Sequence, residues 1–167
     1  DGAVILALPA PAAVALLPDL KAPVDTRAIV NAHFRLETPP RLPGGSRFLG
    51  LVGGTAQWIF VRDDVASITV SAADELASRD NQDIAQTLWT DLSRALGLTG
   101  EAPEAHRIIN ERRATFAQTP AAAAMRPGAR TPVANLFLAG DWTDTGLPAT
   151  IEGAILSGAR AAAIAKA

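Results

Sequence analysis

NLFLAGDWTDTGLPATIEGAILSGARAAAIAKA, Asn135 to Ala167, decides how this chain is read. An apolar run, Leu136 to Ala139, ends at Gly140-Asp141. A turn-rich loop follows, and then an alanine-rich segment with helical composition from about Ile151. Strand, glycine turn and helix N-terminus in that order form a cradle for a phosphate or a cofactor. In open α/β sheets ligands bind beyond the carboxyl ends of strands, where Gly140 and Asp141 fall. Glycine lets the backbone approach something bulky. A carboxylate repels a bare pyrophosphate, so a sugar or polyol hydroxyl is the better partner for Asp141.

The helix predicted from Ile151 begins with unpaired N–H groups and a partial positive pole. That end favours an anion, or a carbonyl that becomes anionic on reduction. A flavin meets these demands together, with a polyol chain and a ring edge that gains negative charge. The same residues also suit an ordinary strand–loop–helix in which Thr150 caps the helix and Asp141 sits in a turn. Gly153, Gly158 and the many alanines allow the helix to pack closely on a sheet or a cofactor.

Working outward, the opposite end of the chain carries a similar short apolar run. Ala3 to Leu8 is continuous in apolar residues, as in strands covered on both faces. Pro9 and Pro11 stop it, and AAVALLPDL reads as a short helix or turn. Between the two ends lie predicted strands at Ala28–Leu36, Phe48–Val52, Thr55–Val61, Ala66–Ala72 and Ala105–Asn110. Gly53-Gly54 joins two of them as a hairpin. Apolar residues at Ile84, Leu88, Leu92 and Leu96 predict a helix, capped by Asp80 or Asn81 and ended by Gly97. Residues 111–132 read as irregular. The expected fold is α+β: a mostly antiparallel sheet with helices at 22–129, flanked by terminal pieces 1–21 and 130–167 of a Rossmann-like layer.

Composition narrows the classes. The chain has 167 residues, a net charge of -2 and no cysteine. A basic field for nucleic acid is missing. Disulfides and thiolate chemistry are excluded. His33 and His106 have no ligand-like spacing, so no metal site is expected. Pro9, Pro11 and Pro18 interrupt the longest apolar stretch, which is shorter than the roughly 20 residues that span a bilayer. The chain starts Asp1-Gly2 and opens straight into a buried-looking strand, so a piece of a longer protein is expected.

FLAGDWTDTGLPATIEGAILSGARAA closely resembles the C-terminal flavin-binding motif of the amine oxidase and phytoene desaturase superfamily. Within it, GDWTDTGLPATIE is most similar to the squalene-associated FAD-dependent desaturases, also called hydroxysqualene dehydroxylases. VILALPAPAA, RAIVNAHFRLE, QWIFVR and RRATFAQTPA resemble further segments of that family, so the likeness covers most of the chain. It implies that Gly140 and Asp141 approach the FAD ribityl and phosphate region. It also implies that Pro148, Ala149, Thr150 and Ile151 lie against the isoalloxazine, and that Glu152 caps the helix. The family's glycine-rich N-terminal fingerprint is not in this sequence.

The activity implied is hydride transfer at flavin N5 on an apolar isoprenoid of the hydroxysqualene or squalene type. Amine oxidases place an aromatic residue where Thr150 stands, as part of a cage for the amine. This chain has no tyrosine for such a cage. A carotenoid desaturase or a flavin amine oxidase is the alternative enzyme; a cofactor-free binding module is the alternative outside enzymes. Asp144 is the candidate proton donor. Trp142, Leu147, Trp58 and Phe60 are the candidates to line the substrate path. A cytoplasmic protein peripheral to the inner membrane is expected, with self-association of this piece through exposed sheet edges.

Overall fold

The structure is a computed structural model that describes Gly2 to Lys166; Asp1 and Ala167, the outermost residues of the expected terminal pieces, lie outside the described residues. The chain forms two compact units, one of Asp1–Thr26 with Thr115–Ala167 and the other of Arg27–Ala114.

In the terminal unit, β1 (Val4–Leu6) and β7 (Leu136–Leu138) pair in parallel, with Val4 opposite Leu136 and Leu6 opposite Leu138. Helix α4 (Ile151–Ala165) buries Gly153, Ser157 and Ala161, a stripe at four-residue spacing. Phe137, Ala139 and Ala161 form one small cluster. Small residues let this helix lie close to the strand, because side-chain bulk sets the separation of packed elements. A second cluster joins Ala10 and Ala13 of α1 (Ala10–Leu16), Ala122 of α3 (Pro120–Ala124), Phe116, Leu138 and Trp142. Thr119 caps α3 by accepting from the Ala122 N–H at 3.2 Å.

The other unit is built on the five-stranded sheet, in order β3-β4-β5-β2-β6. Its strands are β2 (Thr26–Arg35), β3 (Phe48–Gly50), β4 (Trp58–Arg62), β5 (Val65–Ser71) and β6 (His106–Phe116). The pairs β3–β4, β4–β5 and β2–β5 are antiparallel. Period-2 alternation sends Val30, Ala32, Phe34, Ile59, Ala66, Ile68 and Val70 inward. There they meet Ile84, Leu88, Trp89 and Leu92 of α2 (Asn81–Leu96). Burying each of the larger side chains contributes about 1.5–3 kcal/mol. Asp80 caps α2 by accepting from the Asp83 N–H, and Gly97 ends it in the left-handed conformation at φ 66°.

Two local expectations change. Thr55 to Gln57 are not strand, and β4 starts at Trp58. The reason is Asp91, a buried carboxylate on α2, whose Oδ2 accepts from the Thr55 and Ala56 N–H groups at 2.7 and 2.9 Å. Those donors are held by the helix and do not enter the ladder, so Gly53-Gly54 sits in a longer loop. Gly54 is required there, since a Cβ would lie 2.8 Å from Asp91 Oδ2. Second, residues 111–116, expected to be irregular, complete β6, and the chain re-enters the terminal unit at Thr115 rather than at 130. β6 is an edge strand, and the charges of Glu111, Arg112 and Arg113 suit an edge while hiding the apolar alternation that marks an inner strand.

Asp91→Ala leaves two amide donors without an acceptor and should cost about 2–6 kcal/mol of stability, from one to three per orphaned group. Urea unfolding followed by tryptophan fluorescence measures it. A loss below about 0.5 kcal/mol, the size of an ordinary surface change, would remove Asp91 from this role.

Candidate functional site

The loop from Gly140 to Thr150 joins β7 to α4, and its own sequence dictates its path. Gly140 has φ 149°, a conformation that side chains avoid, and a Cβ there would fall 2.5 Å from the Trp142 indole nitrogen. The Gly140 N–H donates to Ser157 Oγ at 2.8 Å, and its carbonyl accepts from the Thr143 hydroxyl at 2.8 Å. Ser157 Oγ in turn donates to the Ala154 carbonyl at 2.7 Å. The strand end is thereby fastened to the second turn of α4.

Trp142 is only 3% exposed, and its indole N–H donates to the Leu8 carbonyl at 2.8 Å. Expected to line a substrate path, it is instead a core wedge packed with Phe116 and Leu138. A ring enclosed in this way, with its donor satisfied, has no free face for a ligand.

Arg126 lies beside the loop. Its guanidinium donates to the carbonyls of Leu147 at 2.6 Å and Asp141 at 2.9 Å, to the Thr143 carbonyl, and to Thr145 Oγ1 at 3.3 Å. It also stands over the Phe116 ring, 5.5 Å from the centroid. The Asp144 N–H donates to the Pro127 carbonyl at 2.8 Å, and Arg160 donates to the Asp144 carbonyl at 3.2 Å. The fold therefore uses the main chain of Asp144, and its carboxylate is left exposed.

Gly146, at φ 77°, turns the chain toward α4. Gln118 accepts from the Ala149 N–H at 3.0 Å. Thr150 is the helix cap, accepting from the Gly153 N–H at 3.1 Å. Gly153 must be small, because a Cβ would lie 2.8 Å from the Pro148 carbonyl. The N–H groups of Ile151 and Glu152 have no acceptor among the described residues. Around them the surface is apolar and open: Ile151 is 78% and Ile155 68% exposed, and Leu147 and Pro148 are exposed too.

Asp141 is half-buried, and burial pushes its carboxyl above the usual carboxylate range, opposed by its own and the Trp142 N–H and by Arg126. The residues thus offer a polyol-accepting carboxyl at one end, free amide donors at a helix start at the other, and an apolar floor between. That donor set fits a flavin. Trp58 and Phe60 belong to the sheet unit, half-exposed on one face of β4, with both rings 6.3 Å from that of Phe48. Arg126, Ser157 and Gln118 were missed from sequence. Their partners here are mostly main-chain atoms, which carry no residue identity.

The flavin containing amine oxidoreductase family matches residues 2–165 of this chain. A hydroxysqualene dehydroxylase of Sinorhizobium fredii is 50% identical over 165 residues, 99% of this chain and 39% of that protein. One of Rhodopseudomonas palustris is 48% identical over 162 residues, 97% of this chain and 38% of that protein. The chain spans about two fifths of the length of these curated relatives. A solved structure from Exiguobacterium sp. 255-15, assigned by its description to the protoporphyrinogen oxidases, has a TM-score of 0.69 at 18% identity over 98% of this chain and 40% of that one. At that identity it speaks for the fold alone.

Gly140→Ala should destabilise by about 2–4 kcal/mol, through strain and the clash with Trp142. Ser157→Ala should cost about 1–3 kcal/mol by orphaning the Gly140 N–H. Thermal or urea unfolding checks both. For Asp141, the raised folded-state pKa makes its contribution to stability full below the ordinary carboxylate range and lost as pH rises through the raised value. In the cofactor-free protein Asp141→Asn should therefore gain melting temperature over wild type between acidic and neutral pH. Parallel pH profiles of the two proteins would contradict this.

Proposed function

This chain belongs to the flavin containing amine oxidoreductase family, and from that premise we propose that it is part of an FAD-dependent oxidoreductase that acts on an apolar isoprenoid of the hydroxysqualene type. The cradle from Gly140 to Glu152 carries the reading: a half-buried carboxyl, an apolar floor, and two free amide donors at the start of α4. The substrate class is supported by the names of the curated relatives at 48–50% identity. Thr150 supports it as well, since its hydroxyl is committed to the helix cap and contributes no aromatic wall for an amine.

A bound flavin supplies hydride transfer at its N5. The protein does the rest. Asp141 would accept hydrogen bonds from the ribityl hydroxyls, with Gly140 giving the backbone room beside them. Pro148, Ala149, Thr150 and Ile151 would lie against the ring, and the N–H groups of Ile151 and Glu152 would face its C2 carbonyl. Those donors and the helix pole would favour negative charge at that edge. Leu147 would exclude water from the ring edge. Trp58 and Phe60, with Phe48, give the sheet unit an apolar aromatic face suited to a polyisoprenoid. No helix among the described residues is long and apolar enough to cross a membrane. For a substrate dissolved in lipid, we propose peripheral contact with the inner membrane from the cytoplasm.

The full-length parent should purify yellow, with flavin absorbance near ~450 nm. Supplied with a reductant, it should convert hydroxysqualene to squalene, followed by gas chromatography. Colourless protein, or flavoprotein that leaves hydroxysqualene untouched while oxidising amines or desaturating carotenoids, would sink this reading.

A further inference from the structure

We propose that Arg126 is the positioning residue for the cofactor: a single guanidinium that fixes the separation between the polyol-binding and ring-binding ends of the loop. This rests on the flavin reading above. Asp141 and Leu147 stand at the two ends of the seven-residue arc 141–147, and their carbonyls converge on the same side chain at 2.9 and 2.6 Å. The Thr143 carbonyl and Thr145 hydroxyl fill the interval.

Convergent carbonyl oxygens repel one another, and they would also repel an anionic ligand. Gathering them on one cation removes both penalties. A planar fork with five donors in fixed directions can hold several acceptors at a set spacing; a lysine ammonium is a point charge on a flexible stem and cannot. Phe116 holds the fork from the side, and Pro127, the next residue, accepts from the Asp144 N–H in the middle of the arc. Arg126 Nε is buried with no partner among the described residues. Leaving a donor unpaired costs stability, as happens when a side chain is placed for the loop rather than for its own solvation. Asp141, which carries the polyol end, and Pro148, which begins the ring end, are next to or among the carbonyls so held. Moving the fork therefore moves both.

The test uses the full-length protein, stripped of flavin and reconstituted with FAD, as wild type, Arg126→Lys and Arg126→Ala. Flavin affinity is read by titration, flavin environment by visible circular dichroism, and folding by the melting temperature of the apoprotein. Arg126→Lys keeps the charge and should still bind FAD at least about tenfold more weakly, the scale of losing one or two charge-assisted hydrogen bonds, with an altered visible dichroism band. Arg126→Ala should bind more weakly still and recover affinity with millimolar guanidinium, but not with methylammonium. Wild-type affinity and an unchanged dichroism band in Arg126→Lys would overturn the inference. So would Arg126→Ala whose weaker binding follows its unfolded fraction and gains nothing from guanidinium. Wild-type protein that takes up no FAD would overturn the flavin reading itself, and this inference with it.

Discussion

The close approach at position 140 is the constraint on which the terminal unit depends. A Cβ there would sit 2.5 Å from the Trp142 indole nitrogen, so the backbone and the ring occupy neighbouring space only because the residue is glycine. Once they are packed, three separate pieces of chain are joined. The indole N–H reaches the segment just after β1 through the Leu8 carbonyl. The Gly140 N–H reaches α4 through Ser157. The Gly140 carbonyl folds the loop back through Thr143. Two three-residue strands make a poor sheet by themselves, so these polar fastenings, more than ladder hydrogen bonds, set where the loop begins.

The stripe of Gly153, Ser157 and Ala161 follows from the same geometry. An α4 that must offer its Ser157 hydroxyl to Gly140 has to lie close, and any larger side chain on that stripe would hold it away. Gly153 adds a second close approach, to the Pro148 carbonyl. The start of the helix is thereby placed relative to the strand end by two close contacts, the Gly140 N–H on the Ser157 hydroxyl and Gly153 against the Pro148 carbonyl. A ligand spanning Asp141 and Ile151, as proposed, would meet a loop whose two ends are set by packing and whose carbonyls are held by Arg126.

What was legible in the sequence was local. The helical spacing of Ile84, Leu88 and Leu92, the Asp80 and Thr150 caps and the Gly97 stop each act within a few residues, and each is found in the structure; the apolar runs at 3–8 and 136–139 form the paired strands Val4–Leu6 and Leu136–Leu138, but Val4 and Ile5 are exposed where a strand covered on both faces was expected. What was illegible acts at a distance or through the main chain. Asp91 removes Thr55 and Ala56 from a strand from 35 and 36 residues away. β6 carries an edge strand's charges in place of an alternating pattern. Trp142 reads as a cofactor neighbour because it adjoins Asp141, but its environment comes from Leu8, 134 positions earlier. Arg126 leaves no trace in any pattern of residue types, because backbone carbonyls are alike at every position.

The costs in this molecule are unevenly placed. In the sheet unit, Phe34, Ile59, Ile68, Leu88 and Leu92 are fully buried against one another, and the buried Asp91 carboxylate accepts two amides. In the stretch from Arg126 to Ile155 the local rules are broken repeatedly. Gly140 holds a conformation closed to other residues, Asp141 is desolvated, Arg126 keeps a bare Nε, and Ile151 and Ile155 stand in solvent beside unpaired amides. Departures also occur singly elsewhere, as at Asp63 and Ala72 with positive φ and at the unpartnered Asn110 Oδ1, but here they gather in one loop, and such a gathering points to a role other than stability. The departures are also of one kind. A desolvated carboxyl, free donors and exposed apolar side chains are each relieved by a ligand with hydroxyls, an electron-rich edge and a flat apolar ring. The strain is therefore complementary to a bound cofactor, and binding would return to the loop the stability that folding withholds from it.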